Sequence, residues 1–422
     1  MPIRSIVDMS SRISSMDPET LNPRQISDLF TLYYDDERYS TGRIPKIDFV
    51  QKIIPMMQQL IGDAPRTFRR FDPRAMMPGR QSNVVLTRKQ VAVIVSCMWF
   101  GLFDYDYLEK DDLELFPEPT FVNIFTSQRM FALRCVLNYF QRVYDTMDTD
   151  LFTSGKIIIA RNTLQSPPDW ISSNLPMSEL FIGDGPTVDD SPAKIHVACC
   201  HEYIGGDMFK NSLTQEEITI LIRPECLAAT LFCAGLHDNE TITVMGAEKM
   251  SQYTGYGSSV SFVENFVDDS PVGYSKDKAE SMFQTAIVFM DASSRTSGKS
   301  QFIDDFLRDL NKAYCGFNSM QFSAPGEQVA SGHWAYGFNG NDIRVKFLQQ
   351  WLAATLANKT LIYHPFGRDF EERLIVFTDW VQRNAFTVGQ LFRAYLELIK
   401  SVYSGPSSRL NGLDIFECIM DM

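Results

Sequence analysis

The chain has eight cysteines but no C-x-x-C pair, which argues against a redox dithiol or a zinc ribbon. Several of the eight (97, 135, 199, 200, 226, 233, 315 and 418) lie in apolar runs, where a reduced thiol packs as a small hydrophobe. A reducing compartment is predicted. Cys199, Cys200 and His201 are contiguous and cannot easily converge on one ion, because structural zinc takes spaced ligands; no metal is expected. Long apolar runs are missing too. The longest, residues 91–103, is well short of the ~20 residues of a membrane span, and the N-terminal MPIRSIVDMSSRISSMD lacks an apolar signal core. A soluble protein of the nucleus or cytoplasm is expected. Positive charge is in deficit: 39 basic against 52 acidic residues give −13 and a pI near 4.9. That is the wrong sign for sequence-tolerant binding to nucleic acid or to an anionic membrane. The densest basic cluster, RTFRR at 66–70, is too short for an electrostatic footprint. Internal repeats and low-complexity tracts are also absent, so an anionic ligand needs a local site.

What is present is an ordinary globular composition, 45% hydrophobic and 22% charged, over 422 residues. That length exceeds what one core usually serves. Apolar residues recur at three-to-four spacing over 23–34, 44–61, 87–103 and 128–144, which predicts an α-helical accessory region over 1–150. Past Gly155 the period changes. Short β-branched runs at 156–160, 194–198, 241–245, 285–290 and 360–363 alternate with helical patterns at 216–222, 225–236, 301–313, 342–357 and 370–384. The prediction is an α/β domain over 151–404, a mixed sheet flanked by helices. Residues 258–278 are expected to be the longest irregular stretch, and 405–422 a short tail.

The chemistry concentrates after the strand at 194–198. Gly205 and Gly206 follow it and precede a helix start; adjacent glycines let backbone N–H groups approach a pyrophosphate without Cβ, though a tight turn uses them equally. Thr214 and Glu217 then stand at capping-box spacing, and acidic residues in a first turn favour the macrodipole. The competing possibility is chemical. A Gln and two Glu beside a phosphate loop face the sugar of a nucleotide diphosphate, and a carboxyl group there protonates a glycosidic leaving oxygen. Adjacent glutamates point to different sides of a helix and take different jobs.

Glycines, seven residues, then Gln215-Glu216-Glu217 together resemble the signature of the poly(ADP-ribose) glycohydrolases. LNKAYCGF at 310–317, QYTGY at 252–256, TVG at 387–389, NYFQRV at 138–143 and PDW at 168–170 are similar to further family segments, in unbroken order from about 86 to 403. The resemblance implies a macrodomain-like domain preceded by a helical accessory region, acting on ADP-ribose polymer or ADP-ribosylated proteins without metal or organic cofactor. It implies that Glu217 is the catalytic acid, that Glu216 holds the neighbouring ribose hydroxyls, and that Gln215 orients the substrate. Gly205 and Gly206 would line the pyrophosphate. Residues 332–337, ending in Gly337, resemble the second diphosphate loop. Tyr256 and Phe366 match the aromatic residues around the adenosine, and Asp189 matches an acidic adenine contact.

The chain also departs from the family. Ala198 stands where a ribose-binding Asp is expected, which removes hydrogen bonds worth about 1–3 kcal/mol. His201 replaces an Asn and still offers a donor. Asp207 replaces the third glycine; a carboxylate about 4 Å from a phosphate is repelled by around 4 kcal/mol at an effective dielectric near 20. Ala335 and Asn339 are further changes in the second loop. Two expectations follow: an active exo-acting glycohydrolase, or an impaired or inactive member that serves as an ADP-ribose reader or scaffold.

Overall fold

The computed structural model describes residues 48–69, 71, 74–103, 130–205, 213–270, 272–274, 281–293, 299–319, 326–335, 342–404 and 414–422. The helix predicted over 23–34 lies outside them. So do Gly206, Asp207, Gly337 and Asn339.

The first elements are α1 (Ile54–Gly62), β1 (Ser82–Thr87), α2 (Arg88–Trp99) and α3 (Met130–Thr146). Thr87 starts α2 with a capping box: its hydroxyl accepts the Gln90 N–H at 3.1 Å and the Gln90 carbonyl accepts the Thr87 N–H at 2.8 Å. Residues 91–99 of α2 are all buried, so most of the longest apolar run, 91–103, is a helix enclosed by protein. β1 is an element the helical periodicity hid. Its residues alternate, Val84 and Leu86 inward and Val85 outward, and it pairs antiparallel with β2 (Lys156–Thr163) from Ser82↔Arg161 to Thr87↔Lys156. A strand from before residue 150 therefore completes one edge of the sheet.

Beyond β2 come β3 (Leu180–Ile182), β4 (Ile195–Cys200), α4 (Gln215–Ile222), β5 (Glu240–Met245), β6 (Ser251–Thr254) and β7 (Ser261–Asn265). They are followed by β8 (Val272–Tyr274), β9 (Ser281–Phe283), β10 (Ala286–Asp291), α5 (Lys299–Phe317), β11 (Gln328–Ser331), α6 (Ile343–Leu356) and β12 (Thr360–Tyr363). The last helices are α7 (Arg368–Arg383), α8 (Val388–Ser404) and α9 (Ile415–Met420). Among the described residues eight strands form one mixed sheet in the order β1-β2-β5-β10-β4-β11-β12-β3. The β1, β2, β5 and β10 pairings are antiparallel, and β10, β4, β11, β12 and β3 run parallel.

Side chains alternate between two cores, as a pleated strand dictates. Ile287 and Phe289 of β10 join α1 to α4 in one core, while Ala286, Val288 and Met290 join α5 to α9 in the other. Cys199 and Cys200 obey the same rule, one packed against each core, so their thiols do not converge.

Three expectations are corrected. The stretch 258–278 contains β7 and β8, each paired in a two-stranded ribbon with β6 or β9. The helix predicted over 225–236 divides into a 3₁₀ turn, Pro224–Leu227, and a short helix, Ala228–Phe232. In the expected tail, Ile415, Phe416 and Ile419 are buried, and Phe416 stacks on Phe377 at 4.2 Å; α9 is part of the second core.

Candidate functional site

The parallel strands end at one edge of the sheet, where open α/β sheets form ligand crevices. A cleft of about 1240 Å³ opens there. Its wall takes Cys199 to Glu202 from the end of β4, Asp291 to Ser293 from β10, Gly332 to Ala335 from β11, and Pro186 to Val188 from the segment after β3.

α4 meets this edge with its N-terminus. Thr214 and Glu217 form a capping box there, with a Glu217 carboxylate oxygen accepting the Thr214 N–H at 2.5 Å. Glu216 turns the other way. It is fully buried, and its two oxygens accept the N–H of Gly205 at 2.6 Å and of His201 at 3.2 Å. Burial raises its pKa well above the carboxylate range; these two N–H groups oppose that, and the nearby Glu217 and Asp291 charges add to it. Glu216 thus latches the glycine turn to the helix. Gly205 takes φ +87°, a left-handed value at which a Cβ is strained.

Gln215 fastens α4 to β4. Its carbonyl accepts the Cys199 N–H at 2.8 Å, and its amide donates to the Val197 carbonyl at 3.0 Å and the Thr219 hydroxyl at 3.2 Å. Thr214, Gln215 and His201 line the cleft, whereas the buried Glu216, Glu217 and Ala198 do not.

Tyr256 and Phe366 also line it, 61% and 54% exposed. Tyr256 caps the ribbon of β6 and β7. Phe366 has φ +50°, as strained as Ala335 at +54°; non-glycine residues in this region cluster where a site demands a set direction. Its ring lies edge-on to His333 at 5.3 Å and stacks with His364 at 6.0 Å. Burial lowers the His333 pKa to about 4, so this histidine presents a neutral ring to the cleft.

At the β10 end the wall is ionic. Asp291 pairs with Arg308 and Lys312, and Arg308 also reaches Asp238 at 3.0 Å and Asp309 at 2.7 Å. Lys346 pairs with Asp309 and lies 4.6 Å over the Trp334 ring. Of these only Lys312, in LNKAYCGF, and Trp334, in the 332–337 segment, fell within stretches that signalled the site; the charged partners are scattered in sequence, and pattern reading had no means to join them.

Two family models match this chain: "Poly (ADP-ribose) glycohydrolase (PARG), helical domain" over residues 44–161 and "Poly (ADP-ribose) glycohydrolase (PARG), Macro domain fold" over 167–372. The chain belongs to the poly(ADP-ribose) glycohydrolase family. It is similar to poly(ADP-ribose) glycohydrolase 1 of Arabidopsis thaliana, 25% identical across 76% of this chain and 71% of that one. Probable poly(ADP-ribose) glycohydrolase 2 of the same plant is 22% identical across 93% and 84%. Poly(ADP-ribose) glycohydrolase 1 of Caenorhabditis elegans is 25% identical across 86% of this chain and 45% of its own length.

For a member of this family the macrodomain supplies the cleft, and the predicted site residues sort into three groups. Gln215, His201, Tyr256 and Phe366 converge on it. Gly205, Glu216 and Glu217 stand immediately behind, joined through the latch and the cap. Asp189 is directed elsewhere. Its buried carboxylate takes Arg223 at 2.5 Å, Thr219 at 3.1 Å and the Tyr253 hydroxyl at 3.3 Å, and it does not line the cleft.

Proposed function

We propose that this chain hydrolyses the ribose–ribose glycosidic bonds of ADP-ribose polymer and releases ADP-ribose, in the nucleus or cytoplasm and without metal or organic cofactor. The observation that carries the reading is the Glu216 latch: one buried carboxyl ties the glycine turn at 205 to the helix that bears Gln215 and Glu217. A glycine turn, a helix N-terminus and an acid are thereby held together beside one cleft, as a pyrophosphate joined to a sugar requires.

In this reading Tyr256 and Phe366 hold the adenosine, and the 205 turn and the loop after β11 carry the diphosphate. Glu216 fixes the ribose at the scissile bond through the loop it latches, and His201 adds a donor at the rim. Glu217 gives a proton to the leaving oxygen as the bond breaks, and water attacks the oxocarbenium-like sugar, returning a proton to the Glu217 carboxylate. For that step the Glu217 carboxyl must leave the Thr214 N–H and turn towards the ligand.

A second reading rests on that same cap. The Glu217 carboxylate serves the helix and is absent from the cleft wall, and Ala198 is wholly inside the first core. Such a chain binds ADP-ribose or ADP-ribosylated proteins without cleaving them. Purified protein and Glu217→Gln, incubated with labelled polymer, separate the two. Release of ADP-ribose by wild type and its loss in the variant supports hydrolysis; equal, absent release with calorimetric binding of ADP-ribose makes the chain a reader.

A further inference from the structure

The ribbon of β6 and β7 that carries Tyr256 is hydrogen-bonded to no strand of the central sheet, and an isolated two-stranded hairpin is marginal in water. Its base is gripped from two sides. On one side, the Asn138 amide of α3 donates to the Met250 carbonyl at 2.6 Å and the Ser251 hydroxyl at 2.9 Å. One turn on, Arg142 bridges both ends of the ribbon, reaching Glu248 at 3.1 Å before β6 and the Phe266 carbonyl at 2.5 Å after β7. Arg134 lies 4.2 Å over the Phe262 ring. On the other side, Lys249 reaches Asp190 at 2.8 Å, Gln252 reaches Asp190 at 3.1 Å, and the Tyr253 hydroxyl reaches Asp189 at 3.3 Å. Asp189 and Asp190 directly follow Thr187 and Val188, which line the cleft.

The tip is held by its own turn and, at the Tyr256 hydroxyl, by a hydrogen bond from the Gln215 backbone of α4. Gly255 at φ +80° places Ser259 where its hydroxyl accepts the Tyr256 N–H at 3.1 Å. A stiff tip on a gripped base makes the position of the Tyr256 ring depend on the grip. We propose that Asn138 and Arg142 of the helical region are positioning residues that set how Tyr256 reaches over the cleft, so that this region tunes ligand affinity without touching the ligand. The proposal rests on the reading of Tyr256 as a ligand contact.

The test is a double-mutant cycle read by calorimetry with ADP-ribose on the full chain. Tyr256→Ala alone examines the underlying contact: if it binds as wild type does, that contact reading falls, whatever the helix does. Given a weakened Tyr256→Ala, Arg142→Met and Asn138→Ala should each raise Kd about threefold to tenfold in the wild-type background, at the lower end of what groups coupled through a backbone shift show. In the Tyr256→Ala background they should change it little. Equal losses in both backgrounds, or no loss in the first, overturn the proposal. Arg142→Lys, at a half-buried position, guards against a misfolded variant. It keeps the charge beside Glu248 but cannot bridge to the Phe266 carbonyl, so it should fold, bind weakly and show faster amide exchange confined to 251–265. Unchanged exchange there also counts against the idea.

Discussion

Arg161 and Glu240 show how a single charge is made tolerable inside this protein. Both are wholly buried and paired at 2.5 Å; the guanidinium also reaches the Ala234 and Gly235 carbonyls, while the carboxylate takes N–H groups of Gly79 and His237. Removing one partner strands the other charge. Glu240→Ala should therefore cost about 3–5 kcal/mol in urea unfolding, and Arg161→Met added to it should restore part of the loss. His196 adds a pH dependence. Burial, with the nearby Arg223 charge, lowers its pKa to about 4 from an ordinary 6.5. Between those values the unfolded chain holds a proton that the folded chain refuses, so its contribution is complete above pH 6.5 and declines as pH falls towards 4. Unfolding at pH 7 and pH 4.5 should show a smaller drop for His196→Gln than for wild type. Glu225 runs the other way: burial raises it to about 7, so its contribution weakens as pH rises from the ordinary carboxylate range through 7.

The elements at the cleft hold strain in two loops. Ala335 follows β11 at φ +54°, where an L side chain costs roughly 1–2 kcal/mol; Ala335→Gly should gain about 1 kcal/mol in thermal or urea unfolding after the entropy of the added glycine. Gly332, three residues earlier, is needed for its missing Cβ, which would stand 2.7 Å from the Phe366 ring. The same Cβ would stand 3.1 Å from the His364 carbonyl oxygen, so Gly332→Ala should cost about 1–2 kcal/mol in unfolding and weaken ADP-ribose binding measurably by calorimetry. A loss of stability with unchanged binding would mean that Phe366 does not touch the ligand. These elements were legible in part. The strand at β4, the helix at α4 and the glycine turn between them follow from period and turn chemistry. β1 was not, because six residues with two inward apolar side chains are too weak a signal beside the strong α2 pattern. β7 was hidden similarly, since only Phe262 of its five residues is buried.

At the scale of the molecule two cores share one sheet, and the chain's last segment closes the second. Ile415, Phe416 and Ile419 of α9 are nearly inaccessible, and burying each is worth about 1.5–3 kcal/mol. Ending the chain at residue 413 should destabilise it by on the order of 5 kcal/mol after allowance for a compact denatured state, read as a lowered urea midpoint. The first core joins the helical region to the sheet through β1, α2 and α3, and the same helices grip the ribbon of Tyr256. The two matched family regions, 44–161 and 167–372, are thus continuous in packing.

By itself the sequence determined the family, a helical region joined to an α/β fold, and the glycine turn and capped helix start between β4 and α4, because local period, turn residues and motif spacing are properties of neighbours along the chain. Tertiary structure decided the rest. It turned Asp189 to Arg223 instead of the cleft, gave Glu216 to the glycine turn, and brought Asn138 and Arg142 against the base of a ribbon more than a hundred residues away. Each is a choice between partners that a side chain meets only once the sheet has brought distant segments within hydrogen-bond reach.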